Sequence, residues 1–418
     1  MTQAKLGRRA VLGGAALGGA ALAASTVLMG GRARADAAVY RIGLLNDQSG
    51  TYAAGDGPGS LVTARMAAAD FMAANPGFKA EVIVGDMSTS VDTATTIARG
   101  WYDQSGVDAV IGVPQSAAAI AVGTVAKQKD KLVVFTGAGV PDLTGKYCNE
   151  NQIHWTYDLW ANAHGACEAV TKAGGDTWYF VTADYISGHS MQGYAEEVIK
   201  ANGGKVLGST FYAFPGTTDF SSALIAAQAS GAKVIVFGNA GDDTTNCIKQ
   251  AAEFGILGKA RLVGLVFSMS NIEALGLAGC QGVTFTEAFY WDMDDGTRAF
   301  AKRFTAAMPN RRPTVFHAGA YSATMHILKA AASVGMDKAK ASGRAVADAM
   351  KAVKTDDPVF GKGYVRKDGK FIHDTFVWEV KSPAESKYPF DWYKPVARIP
   401  ADEVFMSMER LGCPFAKA

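Results

Sequence analysis

The sequence predicts an α/β protein of two doubly wound, Rossmann-like lobes joined by a three-segment hinge. Three observations carry this expectation: short unbroken apolar runs, helical patterns between them, and one supersecondary unit that recurs on both sides of the chain's middle. The chain has 418 residues, 49% hydrophobic and 10% aromatic, enough for more than one core of ordinary size. Apolar runs fall at 40–45, 81–85, 109–113, 132–136, 178–182, 234–238, 261–267 and 283–289. Runs this short and continuous suit strands buried on both faces of a parallel sheet. Helical patterns at 59–74, 90–104, 117–129, 162–173, 190–201 and 243–254 separate them, and strict βαβα alternation is the mark of a doubly wound sheet. A dozen such elements exceed one core. The unit DAVIGV–PQS–helix–KLVVFTG, within 107–136, is echoed by KVIVFG–NAGDDT–helix–ARLVGLVF, within 232–267. Two similar lobes follow.

Three segments with extended or loop-like composition, 153–159, 286–292 and 357–363, are the expected crossings between lobes. They divide the chain into lobe 1 (36–156 plus 291–356) and lobe 2 (157–290 plus 357–418), an arrangement that permits closure on a ligand.

Residues 1–35 read as an export leader. Arg8-Arg9 precede an Ala/Gly/Leu-rich stretch that ends in Ala33-Arg34-Ala35, predicting cleavage after Ala35. The paired arginines and glycine-rich core favour the twin-arginine route. The leader holds five basic residues and no acid, so the overall 41 Lys+Arg against 39 Asp+Glu becomes 36 against 39 in the mature part. A slightly acidic exported chain argues against nucleic acid as a partner. The five cysteines show no C-x-x-C spacing, which speaks against zinc and redox motifs. Cys167 and Cys247 lie in apolar helical patterns as core thiols. Cys148 and Cys413 lie in irregular polar segments and form the expected disulfide, permitted by an oxidising compartment.

Enzymatic motifs fail on detail. Gly55-Asp56-Gly57-Pro58-Gly59 mimics a dinucleotide fingerprint, but Ser60 stands where the third glycine belongs and the preceding loop is long. Gly188-His189-Ser190-Met191-Gln192 lacks the second glycine of a nucleophile elbow. The six histidines include no i,i+4 pair, and no lysine of the Walker type follows a glycine-rich loop. These residues predict neither catalysis, nor a metal, nor a cofactor. What recurs is small polar and aromatic residues in turns after strands: Asn46 to Tyr52, Pro114-Gln115-Ser116, Thr136 to Gly139, Ala183-Asp184-Tyr185, Asn239 to Asp242, and Phe267-Ser268. Open α/β sheets bind ligands at that end of their strands. Hydroxyls and free amides at helix starts suit a carboxylate, and aromatic rings suit an apolar ligand body.

In these segments the chain resembles the type I periplasmic solute-binding proteins of ABC transporters, in the Leu/Ile/Val-binding branch. The resemblance rests on IGLLNDQSGTYAAGDG, AVIGVPQSAAAIAV, FTGAGVPDLTG, ADYISGHS, GVTFTEAFYWD and HAGAYSATMHILKAA, in the family's order, and on the tail Gly412-Cys413-Pro414. It implies a non-catalytic, monomeric periplasmic receptor that closes on a small carboxylate and docks on an inner-membrane permease; a sensor feeding a signalling receptor is the alternative. By the family's pattern Ser116, next to Gln115, and the backbone at Ala138 and Gly139 would hold the carboxylate. Tyr52 and Tyr185 would flank the pocket, with Asn239 and Phe267 contributed by lobe 2. The chain departs from the pattern where Phe267-Ser268 replaces an acid that holds the ligand's ammonium, and where Gly139 and Ser187 replace a hydroxyl residue and an aromatic. These departures set an aromatic or other organic acid beside a branched-chain amino acid as ligand, with Asp242 or Glu287 as substitute acids.

Overall fold

The computed structural model describes residues 38–415; the expected leader and its cleavage site lie outside the described residues. Strands β1 (Val39–Asn46), β2 (Lys79–Asp86), β3 (Ala109–Gly112), β4 (Leu132–Phe135) and β5 (Gln152–His154) form one parallel sheet in the order β2-β1-β3-β4-β5. Both β3 and β4 are buried along their whole length, which is why their sequences are unbroken apolar runs. The crossover helices Gly57–Ala74, Val91–Asp103 and Ser116–Gln128 follow β1, β2 and β3.

The second sheet contains β6 (Thr177–Asp184), β7 (Lys205–Ala213), β8 (Val234–Gly238), β9 (Arg261–Gly264) and β10 (Thr284–Glu287). Three short strands, β11 (Thr355–Asp357), β12 (Gly361–Val365) and β13 (Phe371–Ile372), form a small antiparallel sheet. Then β14 (Thr375–Val380) and β15 (Tyr393–Ile399) return to the second sheet, antiparallel to β10 and to each other. Its order is β15-β14-β10-β9-β8-β6-β7. The run β7-β6-β8-β9-β10 repeats β2-β1-β3-β4-β5 strand for strand. The sequence echo therefore pairs β3 with β8 and β4 with β9, the topologically equivalent strands.

The chain passes between the sheets at 155–158, 288–294 and 373–374. The third passage differs from the sequence expectation of 357–363. Phe371 stacks on Trp155 at 4.0 Å, and Val365 joins Phe371 in the core beneath β1, β3 and β4. Residues 357–372 therefore side with the first lobe, because their apolar side chains complete its core, and only β14 onward belongs to the second. The Cys148–Cys413 disulfide is formed, at a sequence separation of 265, and Cys167, Cys247 and Cys280 are buried free thiols. Among the described residues no helix is long and apolar enough to cross a membrane.

Candidate functional site

The carboxyl ends of the two sheets face each other across a cleft. Its first wall begins with the loop after β1. Asp47 shapes that loop by accepting from the Thr89 amide at 2.5 Å and from the Thr89 hydroxyl. Tyr52, Gly55 and Asp56 line the cleft from here. The turn after β3 carries Val113 at φ 55°, a left-handed conformation that a β-branched residue adopts only under constraint. It aims Pro114 and Ser116 into the cleft, with Ser116 the first residue of its helix. Gly137 and Gly139 follow β4.

The crossing at 155–158 supplies Tyr157, whose hydroxyl donates to the Gly137 carbonyl at 2.8 Å. Behind it, fully buried Lys370 donates to the Tyr157 carbonyl at 3.0 Å and lies 3.9 Å from the Asp158 carboxylate. The opposite wall is Tyr185, Ser187, the turn Ala240-Gly241-Asp242, Val266, Ser268, Ser270 and Asn271, with Phe316 at the side. Gly241 sits at φ 64°, and a Cβ there would meet the Thr51 carbonyl oxygen at 2.5 Å, so this inter-lobe approach requires glycine.

The two walls touch. Ser187 Oγ donates to Ser116 Oγ at 2.9 Å, and the Asp242 amide reaches the Thr51 carbonyl at 3.4 Å. At the rim Arg311 pairs with Glu273 at 3.3 Å and donates to the Ala54 carbonyl at 2.5 Å. The lobes are closed over a cavity lined by residues of both walls, concave and part polar, part apolar, as small-molecule sites are.

The electrostatics of the cavity come from backbone and from acids. Helices Gly57–Ala74, Ser116–Gln128, Ile186–Ala201 and Asp242–Glu253 all begin at its edge, and no lysine or arginine lines it. Their amino-terminal amides place partial positive charge there. Having accepted from Ser187, the Ser116 hydroxyl keeps its own proton to donate inward. Asp56 is buried, with one oxygen accepting from Ser60 at 2.5 Å and the other unpartnered. Burial pushes its pKa up to about 6. Asp242, at the rim, is also shifted upward by partial desolvation. Burial, aided by its neighbour Tyr185, holds the Tyr52 hydroxyl well above its usual range, and burial pushes Tyr185 up to about 12. Both stay neutral donors.

Of the residues singled out in the sequence, Tyr52, Ser116, Gly139 and Tyr185 meet at this cavity. Gln115 and Ala138 stand behind it. The Gln115 amide nitrogen donates to the Thr89 carbonyl at 3.3 Å, and the Ala138 carbonyl contacts His154 Nε2 at 2.8 Å. Asn239 is buried in its turn, bonded to Thr244 and Cys247. Phe267 packs on Phe285, at 4.9 Å, in the core of the second lobe, while its neighbours Val266 and Ser268 face the cavity. Of the two substitute acids, Asp242 lines the cavity and Glu287 does not. Tyr157, Phe316 and Asn271 were not singled out. Tyr157 lies in the aromatic crossing, a signal for the hinge but not for the cavity. Phe316 comes from the start of helix Val315–Val334, and nothing local marks it.

Two sheets closing on one cavity ringed by helix starts define a receptor for a small solute. Residues 39–387 match the model of the periplasmic binding protein family. The fold is similar to a periplasmic binding protein from Burkholderia mallei, with 39% identity over 91% of this chain and 99% of that one, at a TM-score of 0.86. A branched chain amino acid ABC transporter periplasmic ligand-binding protein from Burkholderia xenovorans LB400 shares 33% identity, over 90% and 100% of the two chains, at 0.80. A solute-binding protein from R. palustris in complex with benzoate shares the fold at 21% identity, over 87% and 97%, at 0.75. No curated protein matches. The chain belongs to the periplasmic binding protein family, as its sequence segments imply. This is a family of solute-binding transport proteins, not of enzymes, and its place is the periplasm.

Proposed function

We propose that the protein is the substrate-binding component of an ABC transporter, exported by cleavage after Ala35 and acting as a monomer that delivers a small carboxylate to an inner-membrane permease. The observation that carries this reading is the Ser116 hydroxyl, free to donate, at the start of a helix inside a cavity without basic side chains. A carboxylate there gains the hydroxyl, backbone amides and the helix dipole together. Ligand binding shifts an open–closed equilibrium toward closure because the ligand touches both walls. The permease then reads the closed form. Asp56 and Asp242 support an amino acid, whose ammonium either carboxylate accepts. Tyr157 and Phe316 support an aromatic acid, whose ring packs against them. The Burkholderia xenovorans relative favours the first and the benzoate-bound R. palustris structure the second.

Thermal-shift screening of leucine-like amino acids against aromatic and aliphatic carboxylates tests the reading. A ligand at a hundred times its Kd adds about 2.7 kcal/mol to stability, so a true ligand is visible as a raised Tm. Ser116→Ala is expected to weaken carboxylate binding by roughly tenfold to a hundredfold, the loss of one hydrogen bond to a charged group, with the melting temperature of the free protein unchanged. Unaltered affinity removes Ser116 from the site.

A further inference from the structure

A second, much smaller pocket lies behind the cleft, at the hinge. It is walled by Tyr157 from the first crossing, Asn162, the end of β10 with Ala288 after it, Val266 and Phe267 from the second lobe, and Val315 and Phe316. Tyr157, Val266 and Phe316 line both spaces. The Tyr157 and Phe316 rings meet edge to face, centroids 5.8 Å apart, as the partition between them. The pocket has room for about one water-sized group.

Glu287 is the acid of this pocket, beside Asn162 and Thr286, whose side chains already donate to the Leu265 and Asn162 carbonyls. It is 4% exposed, and its Oε2 accepts from the Tyr393 hydroxyl at 2.7 Å. Its Oε1 meets no hydrogen-bond partner, although the Val315 amide lies near enough to the carboxyl to favour its ionised form. An unpartnered buried carboxyl oxygen costs stability unless something fills the place beside it. Burial pushes the pKa of Glu287 up to about 8, against the smaller effects of Tyr393 and Val315. Near neutral pH the acid is therefore mostly protonated, yet within reach of ionisation.

That chemistry selects the partner. An ammonium only donates, and forces a buried charge pair into a small enclosed space. A carbonyl only accepts. A hydroxyl does both, so it satisfies Oε1 whether or not the acid holds its proton. We propose that the hinge pocket is a subsite for a single distal hydroxyl of the ligand, held by Glu287 on the far side of the Tyr157–Phe316 partition and entered when those two rings part. The proposal rests on the carboxylate reading of the cleft and extends it: the ligand is a carboxylate at the Ser116 end and a hydroxy compound at the hinge end.

The test is calorimetric titration of the mature protein with matched acids of two lengths: 4-hydroxybenzoate against 4-methylbenzoate, and 4-hydroxyphenylacetate against 4-methylphenylacetate. In each pair a methyl replaces the hydroxyl at nearly equal volume. At one length or both, the hydroxyl acid is expected to bind about tenfold more tightly. In Glu287→Met that preference disappears while binding through the carboxylate persists. Equal affinity within both pairs, or a preference retained in the Met variant, overturns the subsite. The wild-type comparison stands even if the Met variant does not fold. Failure of all four acids, in a protein that binds leucine or another carboxylate, overturns the subsite alone. Failure of every carboxylate overturns the cleft reading with it.

Discussion

At the residue scale, burial decides what each polar group does. Glu287 ionises at about 8 in the folded chain, against an ordinary glutamate value of 4.5 when unfolded. Between those values the folded state holds a proton that the unfolded state has released, so this group's contribution to stability falls as pH rises. Glu287→Gln, which cannot ionise, escapes that loss. Its stability relative to wild type is expected to improve from pH 5 to pH 8, by on the order of a few kcal/mol at most, measured by denaturant unfolding at both pH values. A constant difference rejects the buried-acid account. The same scale shows why the site was only partly legible in the sequence. Turns after strands identify the cleft, since the doubly wound topology puts them there. Which side chain of a turn faces inward depends on backbone angles that the sequence does not display. Phe267 turns into the core, and Val266 and Ser268 on either side of it turn to the cavity. Phe316 enters from a helix about fifty residues beyond β9 and carries no local mark.

At the scale of elements, two ties across the molecule invite separate tests. The Arg311–Glu273 pair joins the segment before helix Val315–Val334 to helix Met269–Leu275 of the other lobe, across the closed cleft. Arg311→Ala is expected to lower ligand affinity about two- to fivefold, the worth of a partly exposed pair, chiefly through faster dissociation read by stopped flow. Unchanged dissociation assigns the pair to the surface alone. The other tie is Cys148–Cys413. Alkylation of the unfolded protein without reductant should add three labels, at Cys167, Cys247 and Cys280, and reduction beforehand should raise the count to five. Five labels without reductant contradict the bond. Strand legibility also divides at this scale. Fully buried β3, β4 and β8 are unbroken apolar runs. Edge strand β7 alternates between exposed and partly buried positions, so the same criterion passes over it. Strands β11 and β13, of three and two residues, are too short to show any period, and β12 alternates as β7 does.

At the scale of the whole molecule, the repeated order β2-β1-β3-β4-β5 and β7-β6-β8-β9-β10 explains why one cavity has two similar walls. Each lobe presents its topological switch point to the other, and the first of the passages at 155–158, 288–294 and 373–374 lends Tyr157 to the cavity. This architecture was legible because alternation and the echo are properties of long stretches. The third passage was misplaced because a loop composition at 357–363 outweighed the apolar residues Val365 and Phe371 just beyond it. Those passages also bear on how the chain is made. The first lobe lacks helix Val315–Val334 and β13 until after the whole parallel run of the second has left the ribosome, and the second lacks β14 and β15 until 399. Neither half can finish before the other is nearly complete. Folding is therefore a late event involving both halves, and heating is expected to give one calorimetric transition, its van't Hoff enthalpy equal to the measured one. Two resolved transitions would mean that the halves are autonomous despite their interleaving.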